Sequence, residues 1–375
     1  MLFKKIDELK DGMRLARPIY NKNGVLLYER NSKLSAQSIA SIKNFGLIGI
    51  FILEPAEPVP PMTRDDIEFE RFQTMTVFSI QEELNTIIQT KRTGKMQIIA
   101  ANIIRAYGKL NRKINFIQNL RSKEDYVYKH ALNVSMLCAM MTHKMNVKLE
   151  EQLDAVVAAI IHDIGKLMSA NTDSTDKKYR ETCFQKGMEL VENAFSSNKG
   201  IKRCCVQSHK VLGDFRKGKN TNTKLIVSAR VLLVAELFDE MTAMGLDGEP
   251  ASEVAAIKLL LENPEVFDPQ VVEALMDSIN VLKPGTCIEL NTGEKGLVIR
   301  ENDENILRPM ILGFNDNIIL DLSNELAYGD VEIVDIMKTM DNRYIMDTTL
   351  LKKQGIQFEE PEYVDAPEQE YIPGM

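Results

Sequence analysis

The chain has 375 residues, 44% hydrophobic and 27% charged, which suits a folded protein of two or three domains and excludes a disordered chain, a collagen-like chain or a single small module. Its 46 Lys plus Arg against 54 Asp plus Glu give a net charge of -8, which argues against a DNA-wrapping protein and leaves room only for a local basic patch. Five cysteines (Cys138, Cys183, Cys204, Cys205, Cys287) lack CxxC spacing and read as thiols of a reducing compartment. Without an apolar run long enough to span a bilayer, the expectation is a cytoplasmic protein with no membrane span.

In chain order, residues 1–60 read as a small N-terminal α+β domain. Tyr20 and residues 25–28 flank the turn Asn21, Lys22, Asn23, Gly24 of a hairpin. A helix capped by Ser35, with Ile39 and Ile42 on one face, leads through Gly46 to a strand at 48–53. The run PAEPVPP at 55–61 can continue neither helix nor sheet and predicts a linker. Residues 61–120 then hold connecting helices, where Phe72, Met75, Phe78 and Ile80, and later Ile98, Ile103, Ile104 and Leu110, recur at helical spacing and could pair two chains as a homodimer. Residues 121–282 show no β alternation, and their apolar positions recur at three and four, as in Val134, Leu137, Cys138 and Met141, so an all-helical domain is expected. After Pro284 and Gly285, short β-type runs at 286–290, 296–300, 310–314 and 318–322 predict a small C-terminal β domain over 283–337. The segment 338–375 ends in a stretch, 358–375, with six acids, no base and three prolines, the composition of a disordered tail. The fold class is mainly α.

Four histidines occur, His130, His143, His162 and His209, and three have suggestive neighbours. His162 and Asp163 follow the apolar helix 155–161, and consecutive helical residues point about 100° apart, so both can flank one point and reach a metal ion or a pair of ions. Lys166, one turn on, can neutralise a substrate phosphate, and Gly165 leaves room for that phosphate at the backbone. The alternative is a helix-end hydrogen-bonded pair with Lys166 as a partner of the helix dipole. Against it stand a helix bearing His130 upstream and an acidic helix bearing Glu236 and Asp239 downstream. His143 lies off the His130 face and has no assigned role.

Between Lys199 and Lys224, eight bases face the single acid Asp214, in a chain that is acidic as a whole. Such a segment attracts phosphate, with Lys202, Arg203, Lys210 and Lys217 as the candidate contacts. The competing expectation is a solvated flexible loop, since Gly213, Gly218 and Asn220 favour mobility.

The pattern of His130, His162 with Asp163, and Glu236 resembles the HD superfamily of metal-dependent phosphohydrolases, in particular the HD-GYP branch, which hydrolyses cyclic di-GMP in bacterial signalling. AAIIHDIGK at 158–166 is similar to that family's HD helix, and ARVLLVAELFDEMT at 229–242 to its last ligand helix, with Glu236 in place of the usual Asp. LKDGMRLA at 9–16 and NGVLL at 23–27 resemble a small domain often fused ahead of such modules. The resemblance implies an HD-type helical domain, with Asp163 and Lys166 catalytic and His130, His162, Asp163, His209 and Glu236 holding one or two divalent transition ions, Fe, Mn or another. It implies a phosphodiesterase acting on a cyclic dinucleotide or related phosphoester, with Lys166 among the substrate contacts. Tyr126 stands where the family has Glu, although Asp125 is adjacent. Cys183 stands where it has His, His209 is alone where it has a pair, and no Gly-Tyr-Pro follows. This marks a degenerate member lacking the GYP motif. The alternative is therefore a non-catalytic module that binds a nucleotide or a partner protein.

Overall fold

The computed structural model describes residues 2–21, 25–45, 49–53, 63–119, 121–122, 124–168, 177–219, 224–243, 250–315 and 317–336. The linker expected at 55–61, Gly46 and the acidic tail at 358–375 lie outside the described residues.

The N-terminal unit contains β1 (Leu2–Lys5), β2 (Arg14–Leu15), β3 (Ile19–Tyr20), β4 (Leu26–Tyr28), α1 (Ala36–Asn44) and β5 (Gly49–Leu53). Strands β1 and β2 flank β5 in an antiparallel sheet, and β3 pairs with β4 as the expected hairpin. Ser35 caps α1 by accepting from the Ser38 amide at 3.1 Å. Leu15, Ile19, Leu34, Ile42, Ile50 and Ile52 make a core of this unit's own.

Two helices follow, α2 (Arg64–Thr90) and α3 (Met96–Ala106). Thr63 and Asp66 cap α2 reciprocally, each side chain accepting from the other's amide, at 3.2 and 2.8 Å. No side chain at its own N-cap serves α3. Glu83 on α2 does that work instead, its carboxylate accepting from the Gly94 and Lys95 amides at 2.8 and 2.6 Å and so fixing the angle between the two helices.

The helical body comprises α4 (Tyr126–Lys144), α5 (Leu149–Ile161), a short 3-10 turn (Ile164–Met168), α6 (Lys177–Ala194), α7 (Lys199–Phe215), α8 (Val227–Thr242), α9 (Glu253–Leu261) and α10 (Pro269–Met276). Helices α4 and α8 are buried on nearly every face, which makes them the centre on which the others pack. The run at the end of α5, from Ala155 to Ile161, has no appreciable exposure. With about 1.5–3 kcal/mol from each fully buried Val or Ile, that packing holds the helix end bearing His162 at a fixed place against α4. Residues 199–215 of the basic segment are not a loop but form α7, whose buried face (Ile201, Cys204, Cys205, Ser208, Val211, Leu212) supplies the packing that orders it, with Lys199, Arg203 and Lys210 exposed on it; Asn220 lies outside the described residues.

Strands β6 (Cys287–Leu290), β7 (Lys295–Arg300), β8 (Met310–Gly313) and β9 (Ile319–Asp321), the one-turn α11 (Glu325–Tyr328) and β10 (Ile333–Ile336) complete the described chain. The sheet is antiparallel in the order β10-β6-β7-β8-β9. Alternation along the strands splits it: Ile288, Leu290, Val298, Ile311 and Ile333 join the helical core, while Cys287, Leu297 and Ile299 form a separate cluster on the other face. β10 lies beyond the four runs expected from the sequence and adds a fifth strand. The molecule is thus mainly α, with small sheets at the two ends of the chain, and no described helix is long and apolar enough to cross a membrane.

Candidate metal centre

His130 sits in the second turn of α4, His162 caps the C-terminus of α5, and Asp163 opens the turn beyond it. Their donor atoms lie within 4.8 Å of one another, the one such group of three among the described residues. The His130 and His162 Nε2 atoms are 3.2 Å apart, and Asp163 Oδ2 is 3.8 and 3.7 Å from them.

The far side of each ring decides what these atoms are. His130 Nδ1 meets Asp239 Oδ2 at 2.6 Å, and His162 Nδ1 meets the Ala159 carbonyl at 2.7 Å. Both partners only accept, so both Nδ1 atoms carry the proton and donate. Each Nε2 is then the ring atom left to face the other, 3.2 Å away. Two ring nitrogens this close beside a carboxylate form a donor set that suits a cation, whether a proton or a metal ion. An imidazole held through Nδ1–H by a carboxylate or a carbonyl is also the arrangement that prepares a histidine for metal binding.

Asp239 is the hub behind His130. It is fully buried and accepts from Arg121 Nη2 at 2.8 and 2.7 Å and from Asn133 Nδ2 at 2.9 Å as well as from His130. Burial would raise its carboxyl, but the Arg121 guanidinium and the His130 contact outweigh that and hold it well below the usual carboxylate range. Arg121 has no solvent exposure, and its guanidinium lies over the Tyr126 ring at 5.1 Å, while Tyr126 stacks on His130. Sequence reasoning missed Arg121 and Asn133. A buried arginine in an irregular segment leaves no periodic signal, whereas Asp239, one turn beyond Glu236, was visible.

Asp163 receives the Lys166 ammonium on Oδ2. Burial opposes the charge on both side chains, yet the pairing wins. The Asp163 carboxyl is held far below its ordinary value, and the Lys166 ammonium well above its own, with Glu240 and Glu236 adding to the field on Lys166. Lys166 keeps 41% of its side-chain exposure, so it stands at the mouth of the site while Asp163 sits deeper.

Other expected ligands do not reach the group. Glu236 is buried on α8, where its Oε2 accepts from Ser208 Oγ at 3.3 Å. His209 is turned outward on α7, stacked on Phe184 with centroids 3.6 Å apart and its Nε2 3.6 Å from Glu181. Asp125 accepts from the Ser122 amide and pairs with Lys129, leaving Tyr126 at the site. The expectation for Gly165 also needs correction: a side-chain carbon there would stand 1.8 Å from the Cys183 carbonyl oxygen, and Gly187 lies directly opposite. The glycine pair lets α6 press onto the turn after His162, and that space is protein backbone, not phosphate. Cys183 is a small buried residue beside this contact.

Of the expected phosphate contacts, Lys202 pairs with Glu192 at 2.7 Å, and Arg203, Lys210 and Lys217 are exposed. Arg216, just past α7, is the base of this segment that joins the site's field: it pairs with Glu240, and Glu236 and Asp163 also act on it. Burial pushes the Cys204 thiol up to about 12, with Cys138 and Cys205 raised well above their usual value, so these three thiols are inert packing groups.

Among known proteins, the chain is similar to a cyclic di-GMP phosphodiesterase of Pseudomonas aeruginosa, 21% identical over 204 residues. The match covers 52% of this chain and 49% of that protein, so the chain spans about half the length of this relative. Residues 127–255, which contain all three converging donors, the Asp239 hub and Glu236, match the family model of the HD domain.

Proposed function

We propose that the helical body is a metal-dependent phosphodiesterase of the HD-GYP type, with a cyclic dinucleotide such as cyclic di-GMP as its substrate class. The observation that carries this reading is the pair of Nε2 atoms 3.2 Å apart, each ring locked from behind, beside the ionised Asp163. HD domains bind divalent metals, and His130, His162 and Asp163 would hold one or two such ions. Imidazole and carboxylate donors suit Fe, Mn or Zn, and such an ion would supply Lewis acidity and activate water for hydrolysis. The remaining work belongs to this chain's own cations. Lys166 and Arg216 present positive charge at the mouth, where a phosphodiester oxygen would lie, and Asp239 keeps His130 in one tautomer. A cyclic dinucleotide substrate would place the protein in the cytoplasm of a bacterium, in signalling. Met75 and Ile98, exposed on α2 and α3, are the apolar residues through which two chains would pair.

Two features favour a second reading, a module that binds nucleotide without turnover: the Lys166 ammonium already satisfies Asp163, and among the described residues three donors rather than a fuller set converge. Metal analysis of the purified protein, followed by chromatography of products from cyclic di-GMP with Fe, Mn and Mg, tests both. Turnover in the wild type that is lost in Asp163→Ala supports the phosphodiesterase. Nucleotide binding without product under every metal supports the binding module.

A further inference from the structure

A cavity lined by none of the three metal-centre residues lies between the N-terminal unit and α2, with a volume of about 540 Å3, the size of a small-molecule site. Arg17, Tyr20 and Phe45 line it from one side, and Glu70, Thr74 and Phe78 from the other. Glu70 Oε2 is buried there without a hydrogen-bond partner. Burial pushes the Glu70 carboxyl up to about 7, with Arg17 opposing only in part and Asp66 adding to the rise. Arg17 acts on Glu70 through charge without a hydrogen bond to its Oε2: its Nη1 donates to the Gln118 carbonyl at 2.7 Å, and its guanidinium lies over the Phe51 ring at 4.6 Å. Asp125 and Lys129, also on the wall, pair with each other at 2.5 Å. The cavity therefore combines aromatic walls with one unmatched acceptor, and a buried acceptor left unpaired is costly.

The wall continues as hydrogen bonds into the protein. Gln73 Nε2 donates to Asn133 Oδ1 at 3.0 Å, and Gln118 Oε1 accepts from Asn133 Nδ2 at 2.7 Å. Asn133 donates to Asp239, which holds His130. Both glutamines line the cavity, so two of its wall residues are two hydrogen bonds from the carboxylate that orients a metal-centre histidine.

We infer that this cavity is a binding site for a small organic molecule that carries a planar pair of N–H donors on an apolar body, with Glu70 as its anchor, and that its occupancy is felt at His130 through Gln73, Gln118, Asn133 and Asp239. The coupling rests on the metal-centre reading of His130. The binding does not.

Benzamidine is the probe, because its amidinium offers two parallel N–H donors and its ring suits Phe45 and Phe78, with benzoate as the control of opposite charge. Ligand-observed NMR on the full chain at pH 8, where Glu70 is ionised, without metal, should show benzamidine binding and no benzoate binding. The isosteric Glu70→Gln variant, checked for folding by circular dichroism, should weaken benzamidine by about tenfold or more, since it removes a charge-assisted pair. Thr74→Phe, which fills the cavity from α2, should abolish binding. With only four histidines in the chain, imidazole 15N resonances read the coupling directly: benzamidine should move His130 and leave His143 and His209 in place. No binding at about 10 mM, or equal binding to wild type and Glu70→Gln, overturns the site. Binding with an unmoved His130 overturns the coupling, whatever the outcome of the phosphodiesterase assay.

Discussion

Asp239→Asn is the substitution on which the account of the metal centre depends most. It keeps the side chain's shape and removes one charge and one acceptor. In the wild type, Oδ1 accepts from Arg121 Nη2 and Asn133 Nδ2, and Oδ2 from Arg121 Nη2 and His130 Nδ1, so donors surround the carboxylate on every side. An amide has only one oxygen, and either orientation turns its NH2 toward two donors. If the NH2 faces His130, the ring must accept at Nδ1, carry its proton on Nε2, and lose the lone pair aimed at His162. Arg121, without solvent exposure, is left as an uncompensated buried charge, which costs about 3–5 kcal/mol when one partner of a buried pair is removed. Against a typical total of about 5–15 kcal/mol, that is a large fraction of the fold's stability. Metal affinity should fall about 10- to 100-fold, the usual effect of losing the group that orients a ligand histidine. Urea unfolding gives the first quantity and calorimetric titration with Mn or Zn the second. Replacing both partners, in Arg121→Met with Asp239→Leu, should cost less stability than Asp239→Asn alone, because no charge remains stranded. A stability change below about 1 kcal/mol in Asp239→Asn, with unchanged metal affinity, would refute the assignment of Asp239 as the hub.

Further outcomes are expected on the same grounds. Glu70→Gln should make the protein more stable at pH 8 by about 1–3 kcal/mol and leave it unchanged near pH 4, because a carboxyl raised on folding binds its proton more tightly in the folded state, so ionising it between its unfolded value and about 7 drains stability; a pH-independent difference in urea midpoint would contradict this. Asp163 and Asp239 have the opposite sign: depressed on folding, they support stability above the unfolded carboxyl range of about 4, and that support drains away as pH falls further, so acid unfolding of Asp163→Asn should be shallower than that of wild type. Gly165→Ala should cost about 3 kcal/mol or more, since its methyl would overlap the Cys183 carbonyl and push α6 off the turn beside the metal centre; wild-type stability there would show that α6 does not pack as described. Charge reversal at Lys202, which is paired with Glu192 on the surface, should leave cyclic di-GMP affinity within about twofold, whereas Lys166→Ala should weaken it by about tenfold; equal effects would move the phosphate site onto α7.

The amino-acid sequence determined by itself whatever depends on near neighbours in the chain. Ser35 and Ser38 cap α1, Ile19 and Tyr20 pair with Tyr28 and Leu26 as a hairpin, and the period of Val134, Leu137, Cys138 and Met141 places them on a buried helix, because caps, turns and amphipathic periods act over a few residues. His162 with Asp163 was legible for the same reason: one helix end carries both. Only the tertiary structure decided which distant groups meet. Asp239 lies 109 residues from His130 and 118 from Arg121 along the chain, and their meeting follows from the packing of α4 against α8, which no local pattern records. The same packing put Ser208 within reach of Glu236 and drew that carboxylate into a hydrogen bond, while Phe184 and Glu181 held His209 on the outer face of α7. The role of Gly165 turned on a backbone contact with α6, and the unmatched oxygen of Glu70 on a gap between the N-terminal unit and α2. Residue type states what a side chain can do, and the three-dimensional neighbours, through burial and charge, select which of those things it does.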